Sequence, residues 1–258
     1  MPRFGLGVYK MTNPEEAYMS MEKALATGYI AIDTAAFYNN EEQVGEAIRN
    51  SSKKRDELFI TSKVWNTDQG YDETLRAFEK TLNKLQFDYV DLYLTHWPVT
   101  DKFTETYRAI ERLYDEKLIR ATGVSNHEPH HLEQLLAKAN IKPMVNQIEL
   151  HPYLTQTENR AFAQKHNIAI TSWSPLGRGK VLGDETIARI GEKYNKSTAQ
   201  TIIRWHLQND LIVIPKSVTP HRIEENAKVF DFELTKEEMA VIDALHRDER
   251  FGSHPDNF

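Results

Sequence analysis

A phenol, an ammonium, a carboxylate and an imidazole stand at the ends of three β-branched or aromatic runs early in the chain. Asp33 and Tyr38 close the run from Tyr29, Lys63 closes the run from Leu58, and His96 closes the run from Tyr89. Brought together, they form a proton-delivery device. A phenol with a pKa of about 10 is a weak donor at neutral pH. An adjacent ammonium stabilises its anion, and a carboxylate behind that ammonium keeps it charged and oriented. An imidazole beside them donates a hydrogen bond to a carbonyl oxygen and so positions the molecule to be protonated. Taken singly, each residue also has an ordinary reading: Tyr38 as a loop aromatic, Lys63 with Asp33 as an ion pair, His96 as a core histidine. Convergence of all four on one face separates the two readings.

The elements that must position them follow from periodicity. Strand-like runs recur near Phe4, Ile30, Leu58, Tyr89, Ile119, Met144, Ala169 and Leu211, with helical spacing between them. Asn13 is placed to cap a helix whose first turn takes Pro14; Ala17, Met21, Ala24 and Leu25 give it one apolar face, and Gly28 ends it. Gly70–Leu85 carries Leu75, Phe78, Leu82 and Leu85 at similar spacing, and Thr104–Leu113, His131–Ala139 and Glu158–His166 read the same way. Eight strand–helix units predict an α/β chain folded as one (β/α)₈ TIM barrel over residues 1–258, with its strand ends on a single catalytic face. The longest interval, Ala169 to Leu211, must hold an extra helix before the last strand; Glu185–Tyr194 and Thr198–Gln208 both fit. A C-terminal helix and tail follow. No Pro/Gly/Ser-rich linker marks a domain boundary. A two-domain doubly wound protein is the alternative, but it needs Gly-x-Gly-x-x-Gly opening a helix after an early strand. Gly5-Leu6-Gly7 is only a fragment of that pattern and lies within the first strand.

Composition narrows the classes. Of 258 residues, 40% are apolar and 27% charged, as expected for a soluble globular protein. No apolar run reaches the roughly 20 residues that span a bilayer. Met1-Pro2-Arg3-Phe4 lacks the apolar core of a secretory signal. The absence of cysteine excludes disulfides, thiolate metal sites and a cysteine nucleophile, and fits a reducing cytoplasm. A net charge of −6 argues against a nucleic-acid or membrane surface. An anionic cofactor is still compatible with it, because local cations decide that. Lys216 and Arg222 supply such cations after the eighth strand, with Ser217 and Thr219 as further donors, where barrels commonly bind phosphate.

Ile32-Asp33-Thr34-Ala35 with Tyr38-Asn39-Asn40-Glu41-Glu42, Thr61-Ser62-Lys63, and Asp91-Leu92-Tyr93-Leu94-Thr95-His96-Trp97-Pro98 resemble the aldo-keto reductase family. Gly123-Val124-Ser125-Asn126, Val145-Asn146-Gln147, Trp173-Ser174-Pro175-Leu176-Gly177 and Ile214-Pro215-Lys216-Ser217 continue the resemblance over almost the whole chain. Within the family the sequence is most similar to the prokaryotic reductases of 2,5-diketogluconate and of glyoxal or methylglyoxal. Ser125-Asn126-His127 and Ser253-His254-Pro255-Asp256 lean toward the former, and Tyr71–Leu75 with Ala77–Lys80 lean toward the latter.

The resemblance implies hydride transfer from NADPH to a small carbonyl compound. Tyr38 would protonate the developing alkoxide, Lys63 and Asp33 would depress its pKa, and His96 would position the carbonyl. It further implies that Ser125, Asn126 and Gln147 hold the carboxamide, that Trp173 stacks on the nicotinamide, and that Ser174, Leu176 and Gly177 line the pyrophosphate. Lys216, Ser217, Thr219 and Arg222 would take the 2′-phosphate, and Glu225 and Asn226 the adenine. Tyr9, Phe37, Trp65, His96 and Trp97 would line the substrate pocket, with the tail to Phe258. No metal takes part, and a cytoplasmic monomer is expected. Family members usually open with a hairpin that plugs the barrel bottom; this sequence starts at the segment after it, which implies a barrel without the plug. Some relatives bind NADPH chiefly to sense it for a partner, so a regulatory subunit is the rival class. His127-Glu128-Pro129-His130-His131 matches the zinc pattern H-E-x-x-H, which requires both histidines on one helical face. Pro129 belongs in a first helical turn and would leave His127 outside the helix.

Overall fold

The glycines flanking Leu6 serve barrel closure. In the computed structural model, which describes residues 1–258, eight parallel strands follow one another in chain order. They are β1 (Leu6–Gly7), β2 (Ala31–Asp33), β3 (Phe59–Val64), β4 (Val90–Thr95), β5 (Ile119–Ser125), β6 (Val145–Glu149), β7 (Ala169–Trp173) and β8 (Ile212–Val213). The ring closes where Phe4 bridges Val213 and where Gly5 N and Gly7 N donate to Val213 O and Pro215 O at 3.0 and 3.2 Å. A Cβ on Gly7 would stand 2.8 Å from Ile214 O, so a side chain there forces the seam apart. Gly7→Ala is therefore expected to destabilise the barrel by about 1–3 kcal/mol, read as a lower denaturant midpoint with an unchanged slope.

Ten helices cover the outside: α1 (Pro14–Ala26), α2 (Glu41–Asn50), α3 (Tyr71–Leu85), α4 (Phe103–Asp115), α5 (Pro129–Leu136), α6 (Thr157–His166), α7 (Glu185–Glu192), α8 (Thr198–Gln208), α9 (Pro220–Ala227) and α10 (Lys236–Asp243). α1 begins as its sequence requires, with Asn13 Oδ1 accepting from Glu16 N at 3.0 Å and Pro14 in the first turn. Both expected segments before the last strand are helical, as α7 and α8. α2 had no clear apolar stripe in the sequence, because its buried set includes Glu41 and Gly45 beside Val44, Ala47 and Ile48.

Two apolar layers result. One continuous cluster of 43 buried residues includes the side chains between sheet and helices, among them Ile60, Phe78, Tyr93 and Trp205. Leu92, Leu94 and Val145 form a separate cluster against Phe59, Ala121 and Met144. The register puts Lys63, Leu94, Gly123 and Val145 in one row of adjacent strands, so these four share a face of the sheet. Leu94 and Val145 thus floor the space into which Lys63 projects. One expectation is corrected here. The run holding Asp33 does not extend to Tyr38, because the strand ends at Asp33 and a 3₁₀ turn, Ala36–Tyr38, carries the phenol.

Candidate active site

Asp33, Lys63 and His96 all emerge at the C-terminal ends of their strands, and the turn after β2 brings Tyr38 back over them. Lys63 is fully buried, with each ammonium proton assigned: Nζ donates to Asp33 Oδ1 at 2.6 Å, to Thr34 O at 3.0 Å and to Tyr38 Oη at 3.2 Å. The other Asp33 oxygen accepts from Gln147 Nε2 at 2.6 Å. A buried ion pair is costly unless its remaining donors and acceptors are satisfied; here they are. Because Lys63 donates to the phenol, the Tyr38 hydroxyl proton is free to point away from the lysine, toward the barrel mouth.

Burial lowers the ammonium's affinity for its proton, but Asp33 and Tyr38 outweigh that and raise the Lys63 pKa, so it is charged. The phenol differs from expectation. Burial pushes the Tyr38 pKa above its ordinary value; Lys63 pulls it down, but Asp33 pushes it up again. The phenol is thus protonated throughout the neutral range, and Lys63 moderates a rise caused by burial instead of producing a net depression. His96 is pushed well below the ordinary histidine value, first by burial and then by the Lys63 charge. A neutral imidazole results, suited to donating one hydrogen bond without carrying charge, and its Nδ1 is buried without a partner.

Aromatic rings wall this spot. Tyr9 lies against Tyr38 with ring centres 4.9 Å apart, and Phe37 stacks on Trp65 at 3.9 Å. Trp65 stands edge-on to His96 at 5.0 Å, and Trp97 stacks on Phe258 at 4.3 Å. Of the expected pocket residues, Tyr9, Phe37 and Trp65 therefore gather around the phenol and the His96 imidazole, while Trp97 pairs with the tail's last residue.

The residues expected to hold a cofactor fall into three groups. Ser125, Asn126 and Gln147 are buried and mutually bonded: Ser125 Oγ donates to Gln147 O at 2.7 Å and Asn126 Nδ2 to His96 O at 2.8 Å. Trp173 Nε1 donates to Asn126 Oδ1 at 2.8 Å, which ties the indole to the same cluster. Ser174 and Gly177 are left-handed, with φ of 49° and 56°, and bracket Leu176 in a tight turn after β7. The third group opens α9. Lys216, Thr219 and Arg222 are exposed, and neither cation makes an ion pair. Ser217 is buried and its Oγ accepts from Thr219 N at 3.1 Å; Glu225 faces His221 at 3.6 Å, and Asn226 is buried. Free cations beside a helix start, a tight turn rich in left-handed residues and an amide cluster next to the phenol suit a phosphorylated nicotinamide dinucleotide.

Three contributors carried no role in the sequence reading. Asn40 anchors the turn bearing Tyr38, donating to Val8 O at 2.9 Å and accepting from Thr34 Oγ1 at 2.7 Å. Glu41, also buried, accepts from Ser62 Oγ at 2.7 Å. Glu149 lies two residues beyond Gln147 on the same strand, and that two-residue spacing was its available signal. The zinc-like histidines do something else. His127 is buried ahead of α5, bonded through Nδ1 to Ser125 O at 2.9 Å, with burial pushing its pKa down to about 3. His131 Nδ1 accepts from Glu128 N at 3.2 Å, which leaves its proton on Nε2, 3.6 Å from Asp256 Oδ1. His130 Nε2 reaches the same oxygen at 3.0 Å. Both rings face a carboxylate of the tail, and His127 has no part in that cluster.

The aldo/keto reductase family model matches residues 3–247. A glyoxal reductase of Bacillus subtilis (strain 168) is 57% identical over 256 residues, spanning 99% of this chain and 93% of that protein. The methylglyoxal reductase DkgA of Escherichia coli (strain K12) is 47% identical over 262 residues, spanning 100% and 94%. Among solved structures, a Gox0644 mutant in complex with NADPH superposes with a TM-score of 0.95 at 45% identity, covering 100% of this chain and 94% of that one.

Proposed function

The chain belongs to the aldo-keto reductase family, and we propose that it reduces small aldehydes, ketones or dicarbonyls, methylglyoxal and 2,5-diketogluconate among them, with Tyr38 as the acid. One observation carries this reading. A buried ammonium spends its three protons on Asp33, Thr34 O and Tyr38 Oη, an arrangement that turns the phenol's own proton outward beside a neutral imidazole.

NADPH, the cofactor of this chemistry, supplies a hydride to the carbonyl carbon when bound. The chain's own residues do the rest. His96 donates a hydrogen bond to the carbonyl oxygen and aligns it with Tyr38 Oη. As negative charge grows on that oxygen, Tyr38 releases its proton to it, and the Lys63 ammonium stabilises the phenolate left behind. Asp33 keeps Lys63 charged and in place. Gln147, bonded to Asp33 and adjoining Ser125 and Asn126, links the acid to the amide cluster that would take the carboxamide. Tyr9, Phe37, Trp65 and Trp97 present apolar rings, which exclude water and select compact substrates.

Consumption of NADPH with methylglyoxal, followed by its absorbance, tests the reading, and a panel adding sugar aldehydes and diketogluconate ranks the substrates. Tight NADPH binding with no turnover of any carbonyl would instead favour a sensor subunit. Cofactor choice gives a further expected result. Lys216 and Arg222, with Ser217 and Thr219, would engage the 2′-phosphate. A hydrogen bond to a charged group is worth about 1.5–3 kcal/mol, so Arg222→Ala should weaken NADPH roughly 10- to 100-fold and NADH far less. Fluorescence titration with both cofactors measures that ratio; equal losses would remove Arg222 from the phosphate site.

A further inference from the structure

Glu149 is a fully buried carboxylate at the end of β6 for which the reaction scheme has no use. Its oxygens accept from Phe251 N at 2.7 Å, from Gly252 N at 2.9 Å and from His151 Nε2 at 3.1 Å. Burial raises a carboxyl's pKa, yet His151 and the two amides outweigh it and hold Glu149 below the ordinary range. The anion thus clamps a segment about 100 residues later in the chain.

That segment is wedged against the expected cofactor face. Glu149 and Trp173 are register partners on adjacent strands. A Cβ on Gly252 would lie 2.4 Å from Trp173 Cη2, so the bare backbone abuts the rim of the indole. Farther along the same edge of that ring, Nε1 is fixed on Asn126 Oδ1. Phe251 fills the space beside Gly177, where a Cβ would meet its ring at 2.9 Å, and it stacks on His151 with centres 4.8 Å apart. Arg250 adds an ion pair to Glu128 at 3.2 Å.

We propose that Glu149 is a positioning residue: by holding Phe251 and Gly252 in place it fixes the plane of Trp173 on which the nicotinamide rests. This rests on the reductase reading, in which Trp173 faces the nicotinamide ring. The carboxylate is required because two backbone donors and an imidazole donor converge on it. A carboxamide has one acceptor oxygen and turns its NH₂ toward at least one of those donors, leaving an amide of the segment unpaired.

The test compares NADPH with adenosine 2′,5′-bisphosphate, the half of the cofactor that never reaches Trp173. Glu149→Gln is expected to weaken NADPH about 10-fold and leave the bisphosphate within about twofold. Gly252→Ala, whose Cβ would meet Trp173 Cη2 at 2.4 Å and the clamping Glu149 Oε2 at 2.9 Å, disturbs the indole and its clamp together and should give the same split. Equal losses for both ligands, or unchanged NADPH affinity in both variants, would overturn the proposal while leaving the reductase reading intact. Wild-type protein that binds neither ligand would overturn the reductase reading, and this inference with it.

Discussion

Tyr38→Phe should lower carbonyl turnover by about 10²–10⁴-fold, the range a general acid contributes, while NADPH affinity and the denaturation midpoint stay near the wild-type values. The substitution deletes one oxygen at the tip of a half-buried ring. Lys63 keeps Asp33 and Thr34 O as acceptors, so the ammonium remains held, and the aromatic contact with Tyr9 persists. None of the candidate phosphate residues is hydrogen-bonded to that oxygen, whose partner is Lys63 Nζ. The loss therefore belongs to the chemical step: no group is left to neutralise the alkoxide as the hydride arrives. A variant retaining more than about a tenth of wild-type turnover would mean that another donor serves, with the neutral His96 the first suspect.

The barrel and its tetrad were legible because both depend on types and intervals that the sequence displays. Most strands are short β-branched or aromatic runs, and most helices, α2 excepted, carry an apolar stripe. A parallel barrel places all strand ends on one face regardless of what happens elsewhere, so Asp33, Lys63 and His96 could be brought together without coordinates. Tyr38 was placed on the strand, whereas it sits on the turn that follows. Phe37 and Tyr38 extend the aromatic run beyond Asp33, and only Asn40, through its bonds to Val8 O and Thr34 Oγ1, shows where the chain turns.

Net electrostatic effects were less legible. Pairing rules predicted a phenol depressed by its neighbours, whereas burial is the larger effect and reverses the sign. Burial depends on how the Tyr9 and His96 rings pack around the phenol, which no local pattern encodes. Glu149 was hidden for a related reason. An acidic residue at a strand end reads as solvated until the tail returns from residue 251 to cover it. Such contacts between distant segments depend on loop paths, and loops carry no periodicity. Even the zinc-like pattern turns on such a return, since its two adjacent histidines face Asp256 of the same tail.

Lys63→Met should be as damaging to turnover as loss of the phenol, but with a different signature. Removing the ammonium takes away the main influence that lowers the Tyr38 pKa, while burial and Asp33, which raise it, remain. The phenol becomes a weaker acid, so turnover falls, and the alkaline loss of activity moves to higher pH because the proton is held longer. Stability falls too. Asp33 keeps only Gln147 as a partner in a buried site, and breaking a buried pair from one side costs about 3–5 kcal/mol. The Lys63 pKa is raised in the folded protein, so its contribution is fully present below the ordinary lysine value of about 10.4 and is lost only as pH rises through the folded one. The stability gap between wild type and variant should therefore be constant across the neutral range and narrow only in strong alkali. Denaturant titrations at neutral and at strongly alkaline pH, beside a pH–rate profile, separate the two effects. Retained NADPH binding would show that the barrel mouth is still formed. A variant with wild-type turnover and an unmoved alkaline limb would leave Lys63 as a structural ion-pair partner, with no hand in the acidity of Tyr38.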